Sequence, residues 1–365
     1  MKLFQQLLVA PAALGLLAPL SASASDVNLD AISNYSEGNL EIDANSFKQK
    51  SPNNTLLSGG EGLVDSSDST GGFSETTTAS FGVDFLVGAV DGGSPEATTF
   101  DYQMGIGLET SFTGEDSLAA TIDIGDASSP IGGELGFDGA TDANKLILDG
   151  LTYTFPVGGT TVMVGDSTDI SAVYTGACAY SAFTDYMGNC GTGNSVGVGG
   201  SGVTAAMSYA FDSGFSLAGG VSSTPTSILT EEGADVYGIE AAYTADSYGV
   251  AVAYSDSEGT TGWGINGMYA FDFATISAGV ESVDSGTTAE GFFVGLSFPG
   301  VGAGSLDIGM GTTGNFADGD TEYYIYEASY AYPVNDGMTI TPGIAYKESG
   351  LGDVTAFAIK TSFSF

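Results

Sequence analysis

From about residue 79 to the C-terminus one pattern repeats: runs of around ten residues in which apolar side chains recur at every second position. Successive side chains of an extended chain point to opposite faces, so each run carries one apolar and one polar face. In one of them Tyr102, Met104, Ile106, Leu108, Thr110 and Phe112 fall on one side, with Asp101, Gln103, Gly105, Gly107, Glu109 and Ser111 on the other. A face of acids and glycines belongs in water, and about ten tilted residues suffice to cross a bilayer in β form. The runs lie near 79–90, 99–112, 117–126, 145–155, 160–170, 202–211, 214–222, 235–244, 247–255, 261–271, 273–283, 290–298, 304–311, 321–332, 337–347 and 353–365. The expected fold class is therefore all-β, a transmembrane antiparallel β-barrel of about 16 strands. Asp149 disturbs the fourth run, because it falls among the apolar positions Ile147, Leu151 and Tyr153.

The last run places Phe357, Ile359, Thr361, Phe363 and Phe365 on one face and Ala356, Ala358, Lys360, Ser362 and Ser364 on the other. Taken alone it also fits an ordinary amphipathic edge strand. Beside the other runs it fits a strand that closes a barrel against the first run near Phe81 and Phe85. Phe363 and Phe365 would then form the C-terminal signal for the barrel-assembly machinery of the bacterial outer membrane.

The other end of the chain carries an export address. Lys2 precedes an apolar run from Leu3 to Leu20, followed by Ala22-Ser23-Ala24. This is a signal-peptide pattern with cleavage between Ala24 and Ser25. No later segment offers the roughly twenty consecutive apolar residues that a membrane helix needs. The expected organisation is a signal peptide over 1–24, a polar flexible extension over 25–72 and the barrel over 73–365.

Charge and composition remove other classes. The 365 residues carry 45 Asp and Glu against 6 Lys and no Arg, a formal charge of -39. Nucleic acid is excluded as a partner, since phosphate binding needs a basic surface. Disorder is contradicted by 42% hydrophobic content with 21 Phe and 18 Tyr, which must face something apolar. The absence of His removes Ser-His and Cys-His nucleophile pairs and His-ligated zinc. Gly197-Val198-Gly199-Gly200-Ser201-Gly202 makes no phosphate loop, because no Lys-Ser/Thr follows it. No motif carries reaction chemistry, so no enzyme activity, cofactor or metal is expected.

Connections between the runs alternate in length. Residues 113–116, 156–159, 212–213, 245–246, 272 and 333–336 read as tight turns, with longer Gly/Ser/Asp-rich loops between them. Short periplasmic turns and longer external loops are what a bacterial barrel implies. The longest connection, about 171–201, holds the only two cysteines, Cys178 and Cys190, which in an exported chain read as a disulfide. Two readings stand: a loop folded into the lumen as a constriction, which its position and length favour, or an external loop stapled against proteolysis.

The leader Met1 to Leu14, the turn Thr113-Gly114-Glu115-Asp116-Ser117-Leu118, the turn Leu151-Thr152-Tyr153-Thr154-Phe155-Pro156-Val157-Gly158 and the cysteine loop resemble cyanobacterial outer-membrane porins. These are grouped with OprB-like carbohydrate-selective porins and also described as iron-uptake porins. The resemblance implies passage of small hydrophilic solutes, ions or carbohydrates, through a channel embedded in outer-membrane lipid, with a homotrimer as the common assembly. One departure is that residues 25–72 lack the S-layer-homology pattern common in that family; Val27 to Tyr35 resembles only the start of its mature chains. Wall tethering is not implied here.

Within the barrel reading, Asp84, Asp101, Glu109, Asp123, Glu240, Glu281, Asp307 and Glu327 fall on the lumen side, with Lys347 and Lys360 as opposing charges. Rings of acids concentrate cations and repel anions, so cation preference is expected. Acids gathered instead in external loops would affect solubility or bridging by divalent cations. The rival class is a secreted or surface-attached acidic β-protein, an adhesin or calcium-binding solenoid, but no fixed-period repeat supports it.

Overall fold

The structure, a computed structural model, describes residues 77–92, 96–126, 144–186, 190, 202–230 and 235–365. The leader, the Ala24/Ser25 cleavage site and the 25–72 extension lie outside the described residues. The strands are β1 (Thr77–Asp91), β2 (Thr98–Thr110), β3 (Ser117–Asp126), β4 (Ile147–Val157), β5 (Thr160–Thr168), β6 (Gly202–Ala210), β7 (Phe215–Ser223) and β8 (Asp235–Thr244). They continue as β9 (Tyr248–Ser257), β10 (Thr260–Ala270), β11 (Thr275–Asp284), β12 (Thr288–Val301), β13 (Gly304–Thr312), β14 (Phe316–Ala317), β15 (Tyr324–Asn335), β16 (Met338–Lys347) and β17 (Val354–Ser364).

All sixteen alternating runs become strands in the expected order. The two-residue β14 is a loop segment that pairs only along β12, while β13 pairs directly with β15. Every neighbouring pair is antiparallel, and β1 pairs with both β2 and β17, which closes the sheet on itself. Closure satisfies the backbone groups that an open edge would leave to lipid.

The closing seam joins the two regions picked out by alternation. Val83 stands opposite Phe363 and Phe85 opposite Thr361. Phe81 and Phe365 exchange two backbone hydrogen bonds, at 2.8 and 3.0 Å, and their rings stack at 5.7 Å. Phe85 meets Phe363 edge-on at 5.9 Å.

Alternation sorts the residues between the two sides of the wall. Ile239 is 62% exposed and its neighbour Glu240 is 6% exposed. The exposed side carries Val87, Leu217, Tyr237, Trp263 and Ile308. A continuous apolar exterior of this kind is costly in water and suited to hydrocarbon. Aromatic rings gather at the short-turn end: Tyr153 stacks on Phe155, Tyr209 meets Phe211, Phe215 meets Tyr243, and Phe271 stacks on Phe273. Rings at the strand ends match the interfacial girdle of a membrane barrel.

Two departures from simple alternation have local causes. Between β3 and β4, Thr121 pairs with Gly150 and Ile122 with Leu148, so Asp149 is an extra residue, a β-bulge. The bulge resets the phase: Leu148 and Leu151 both stay on the exposed apolar side, and Asp149 leaves the apolar row on which strict alternation put it. A second bulge lies beside it on β5, between Gly165 and Thr168, where Ser167 takes a φ of 53°. Loop lengths depart too, since β9 and β10, at the long-loop end, are joined by Glu258 and Gly259 alone. Their φ values of 39° and 98° fit the left-handed two-residue turn that matches strand twist.

Candidate functional site

The connection between β5 and β6 determines what the interior can do. Asp169 ends β5 with an extended backbone and accepts a hydrogen bond from the Ser171 N–H at 2.7 Å, capping one 3-10 turn over Ile170–Val173. Ile170, fully buried, packs there on Met163 of β5 and Ala206 of β6. From Tyr174 the chain runs along the inner wall.

Its backbone N–H groups, which in an irregular segment have no ladder partner, find side-chain acceptors on distant strands. The Thr175 N–H donates to Glu240 on β8 at 2.6 Å and Gly176 donates to the same carboxylate at 3.2 Å. Ala177 donates to Asn266 Oδ1 on β10 at 2.9 Å, and Ala179 to Ser277 Oγ on β11 at 3.1 Å. The Ser181 backbone donates to Asp307 on β13. Glu327 on β15 is the main anchor. It accepts from Tyr180 Oη, Phe183 N and Thr184 N, each at 2.9 Å, and from Thr184 Oγ1 at 2.6 Å. Lys347 on β16 donates to Tyr186 Oη at 3.2 Å and stands 5.2 Å from that ring's centre.

A segment that touches β8, β10, β11, β13, β15 and β16 in turn can do so only from inside the closed sheet. Apolar contacts agree with the polar ones. Phe183 packs with Leu86 and Val90 of β1, Ala345 of β16 and Ala356 and Ala358 of β17. The wall is kept flat to receive it: a Cβ built on Gly343 would stand 2.5 Å from the Phe183 ring, and one on Gly309 would stand 2.6 Å from Tyr180 Oη. Cys178 and Cys190 form a disulfide with a Cα–Cα distance of 5.8 Å, within the usual range. It closes the stretch that contains Tyr180, Phe183, Thr184 and Tyr186.

Register connects the ten charged residues selected from sequence on one side of the sheet. Asp84 stands opposite Gln103, Leu86 opposite both Lys360 and Asp101, and Gly105 opposite Asp123. Thr78 faces Glu109, Glu240 faces Ala253, and Gly264 faces Glu281. Asp307 pairs with Ser329, Glu327 with Gly309, and Lys347 with Ile325. Their surroundings differ. Glu240, Glu281, Asp307 and Glu327 are buried, and three of these carboxylates hold the loop; Asp101 is buried as well. Asp84 and Asp123 are half-buried and Glu109 is exposed. Sequence reasoning grouped these acids as one ring and missed the loop-facing roles of Asn266, Ser277, Gly309 and Gly343. Those roles depend on which strand the loop reaches, and no local pattern marks them.

At the short-turn end Asp116 organises the turn between β2 and β3. One oxygen accepts from Ser111 Oγ and from the N–H groups of Phe112 and Thr113, at 2.9, 2.9 and 2.7 Å. The other accepts from Tyr153 Oη on β4 at 2.7 Å. The Tyr153 hydroxyl, with the Thr113 and Ser111 donors, holds this carboxyl far below the usual carboxylate range.

No family model matches the chain, and no curated protein matches it. Solved structures do. The high-pH structure of Pseudomonas putida OprB superposes with a TM-score of 0.63 at 13% identity, covering 80% of this chain and 94% of that one. A double mutant of Rh. blastica porin aligns with a TM-score of 0.55 at 16% identity, over 79% of this chain and all of the other. A loop-deletion mutant of OmpT, an outer membrane protein of Vibrio cholerae, gives 0.57 at 11% identity, over 80% and 100%. At these identities the likeness is one of fold: a closed sixteen-strand antiparallel barrel.

Proposed function

We propose that this chain is an outer-membrane porin, a water-filled channel through which small hydrophilic solutes, ions and small carbohydrates, diffuse down their gradients. The observation that carries the reading is the pairing of an apolar exterior with an interior of acids, hydroxyls and glycines along which a disulfide-closed loop is laid. Hydrocarbon suits the first and water the second. The loop narrows the lumen and acts as its constriction. With 45 acidic residues against 6 basic ones the channel prefers cations. The protein reaches the outer membrane by its leader and by barrel-assembly machinery that reads Phe363 and Phe365, and it assembles as a homotrimer.

Purified protein added to a planar lipid bilayer should give stepwise ohmic conductance, with a reversal potential of cation-selective sign in a salt gradient. A protein that is soluble without detergent and gives no current would overturn the porin reading. Anion selectivity would remove the cation preference alone.

A further inference from the structure

We infer that solutes cross the barrel along the inner face of β2, β3 and β4, and that Asp149 is the specificity-determining residue of that sector. The inference rests on the porin reading. It assigns the path to one side of the wall and separates the acids that meet permeant ions from those that do not.

From the 3-10 turn to Tyr186 the loop lies against the wall from β5 round to β17 and returns to β1, packing on Ala206, Ala251, Phe293, Ile325, Ala345 and Ala358 of the inner face. Glu240, Asp307 and Glu327 there are hydrogen-bonded by loop N–H groups, whose dipoles offset their charge, and they are removed from water. On β2 to β4 Asp101 is buried, but the inner positions Gln103, Glu109, Thr121, Asp123 and Thr152 remain half-buried or exposed. Among the described residues the loop does not cover this side, which leaves it to water and solute.

A cavity of about 400 Å³ opens between β3, β4, β5 and the start of the loop, lined by Ala119, Thr121, Asp149, Thr152, Thr168 and Ser171 among others. It coincides with the paired bulges. Without the extra residue in β4, Asp149 would continue the apolar row of Leu151 and Tyr153 on the lipid side. The bulge instead presents this exposed carboxylate to a polar space. A charge beside water and backed by low-dielectric wall raises the local concentration of its counter-ion. Asp149 should therefore favour cationic over anionic solutes in the recess beside the start of the loop.

The test uses the absence of competing thiols, since the chain's two cysteines are bonded to each other. Thr121→Cys on the uncovered sector and Ala251→Cys beneath the loop, where Ala177 packs on it, are each reconstituted, their own conductance recorded as the reference, and exposed to a positively charged methanethiosulfonate reagent. The expected result is rapid block at Thr121→Cys and none at Ala251→Cys. Equal rates, or block only at Ala251→Cys, would overturn the assigned path. Asp149→Asn is measured independently: its cation-to-anion permeability ratio should fall by about twofold or more at 0.1 M salt, and the difference should fade near 1 M, where screening acts over about 3 Å. An unchanged ratio at 0.1 M overturns the role of Asp149. A wild-type protein that passes no current counts against the porin reading itself, whereas current with an unmodifiable Thr121→Cys counts against this inference alone.

Discussion

The wall under the loop and the wall facing it are built from the same alternating strands, yet they use their polar residues in opposite ways. On β8, β13 and β15 the carboxylates of Glu240, Asp307 and Glu327 accept hydrogen bonds from loop N–H groups and are buried by the segment they hold. On β2 to β4, Glu109 and Asp149 stay exposed, and these strands are tied together at their rim by Asp116 and Tyr153. An acid on the inner face of a barrel can thus hold a loop against the wall or stay exposed. The alternation that places it there does not distinguish the two.

The largest effect should come from Glu327→Ala. Four donors would lose their acceptor, two of them backbone N–H groups that are otherwise buried, and each orphaned group costs about 1–3 kcal/mol. The loop should come off the wall, seen as a larger and noisier single-channel conductance. Unchanged conductance would mean that the covered wall does not depend on its anchor. Glu327→Gln, which keeps one carbonyl acceptor, should lie between.

Opening the disulfide should act less strongly, because the wall contacts remain. In the chain-entropy model, closing a segment of this size is worth roughly 3 kcal/mol. Cys178→Ser with Cys190→Ser should keep the mean conductance and add flicker between sublevels. A loss of conductance steps would show that the disulfide, more than the wall, shapes the passage.

The smallest effect belongs to the open wall's rim. Asp116 has a folded-state pKa depressed below its unfolded value, so its stabilising contribution is complete above the ordinary carboxylate range and is lost as pH falls toward the folded pKa. Asp116→Asn should lower the thermal unfolding temperature in detergent by a few degrees at pH 7. The gap to wild type should narrow at pH 3. A gap independent of pH would mean that the hydrogen bonds, and not the charge, hold the turn.

Much of the fold was legible in the chain because β alternation is a local signal. Tyr102 to Phe112 and Val354 to Phe365 each display both faces within one strand, and the tight turns lie where Gly and Asp interrupt the runs. The bulge at Asp149 was visible only as a conflict in phase, because a bulge is defined by the neighbouring strand. Glu258-Gly259 could have marked a tight hairpin turn where a long loop was expected. The site was less legible: the cysteines of the longest connection pointed to a closed loop, but nothing in Glu327 or Gly343 announces a partner more than a hundred residues away.

By itself the sequence determined the number and order of strands, the apolar and polar faces and the aromatic seam that joins Phe81 to Phe365, because each depends on the two-residue period of an extended backbone or on turn chemistry within a few residues. Only the tertiary structure decided which acids hold the loop, that a bulge takes Asp149 out of the apolar row and which strands the described part of the loop lies against. Those outcomes depend on backbone N–H donors, which every residue except proline carries alike, and on which strand of the closed sheet lies within their reach.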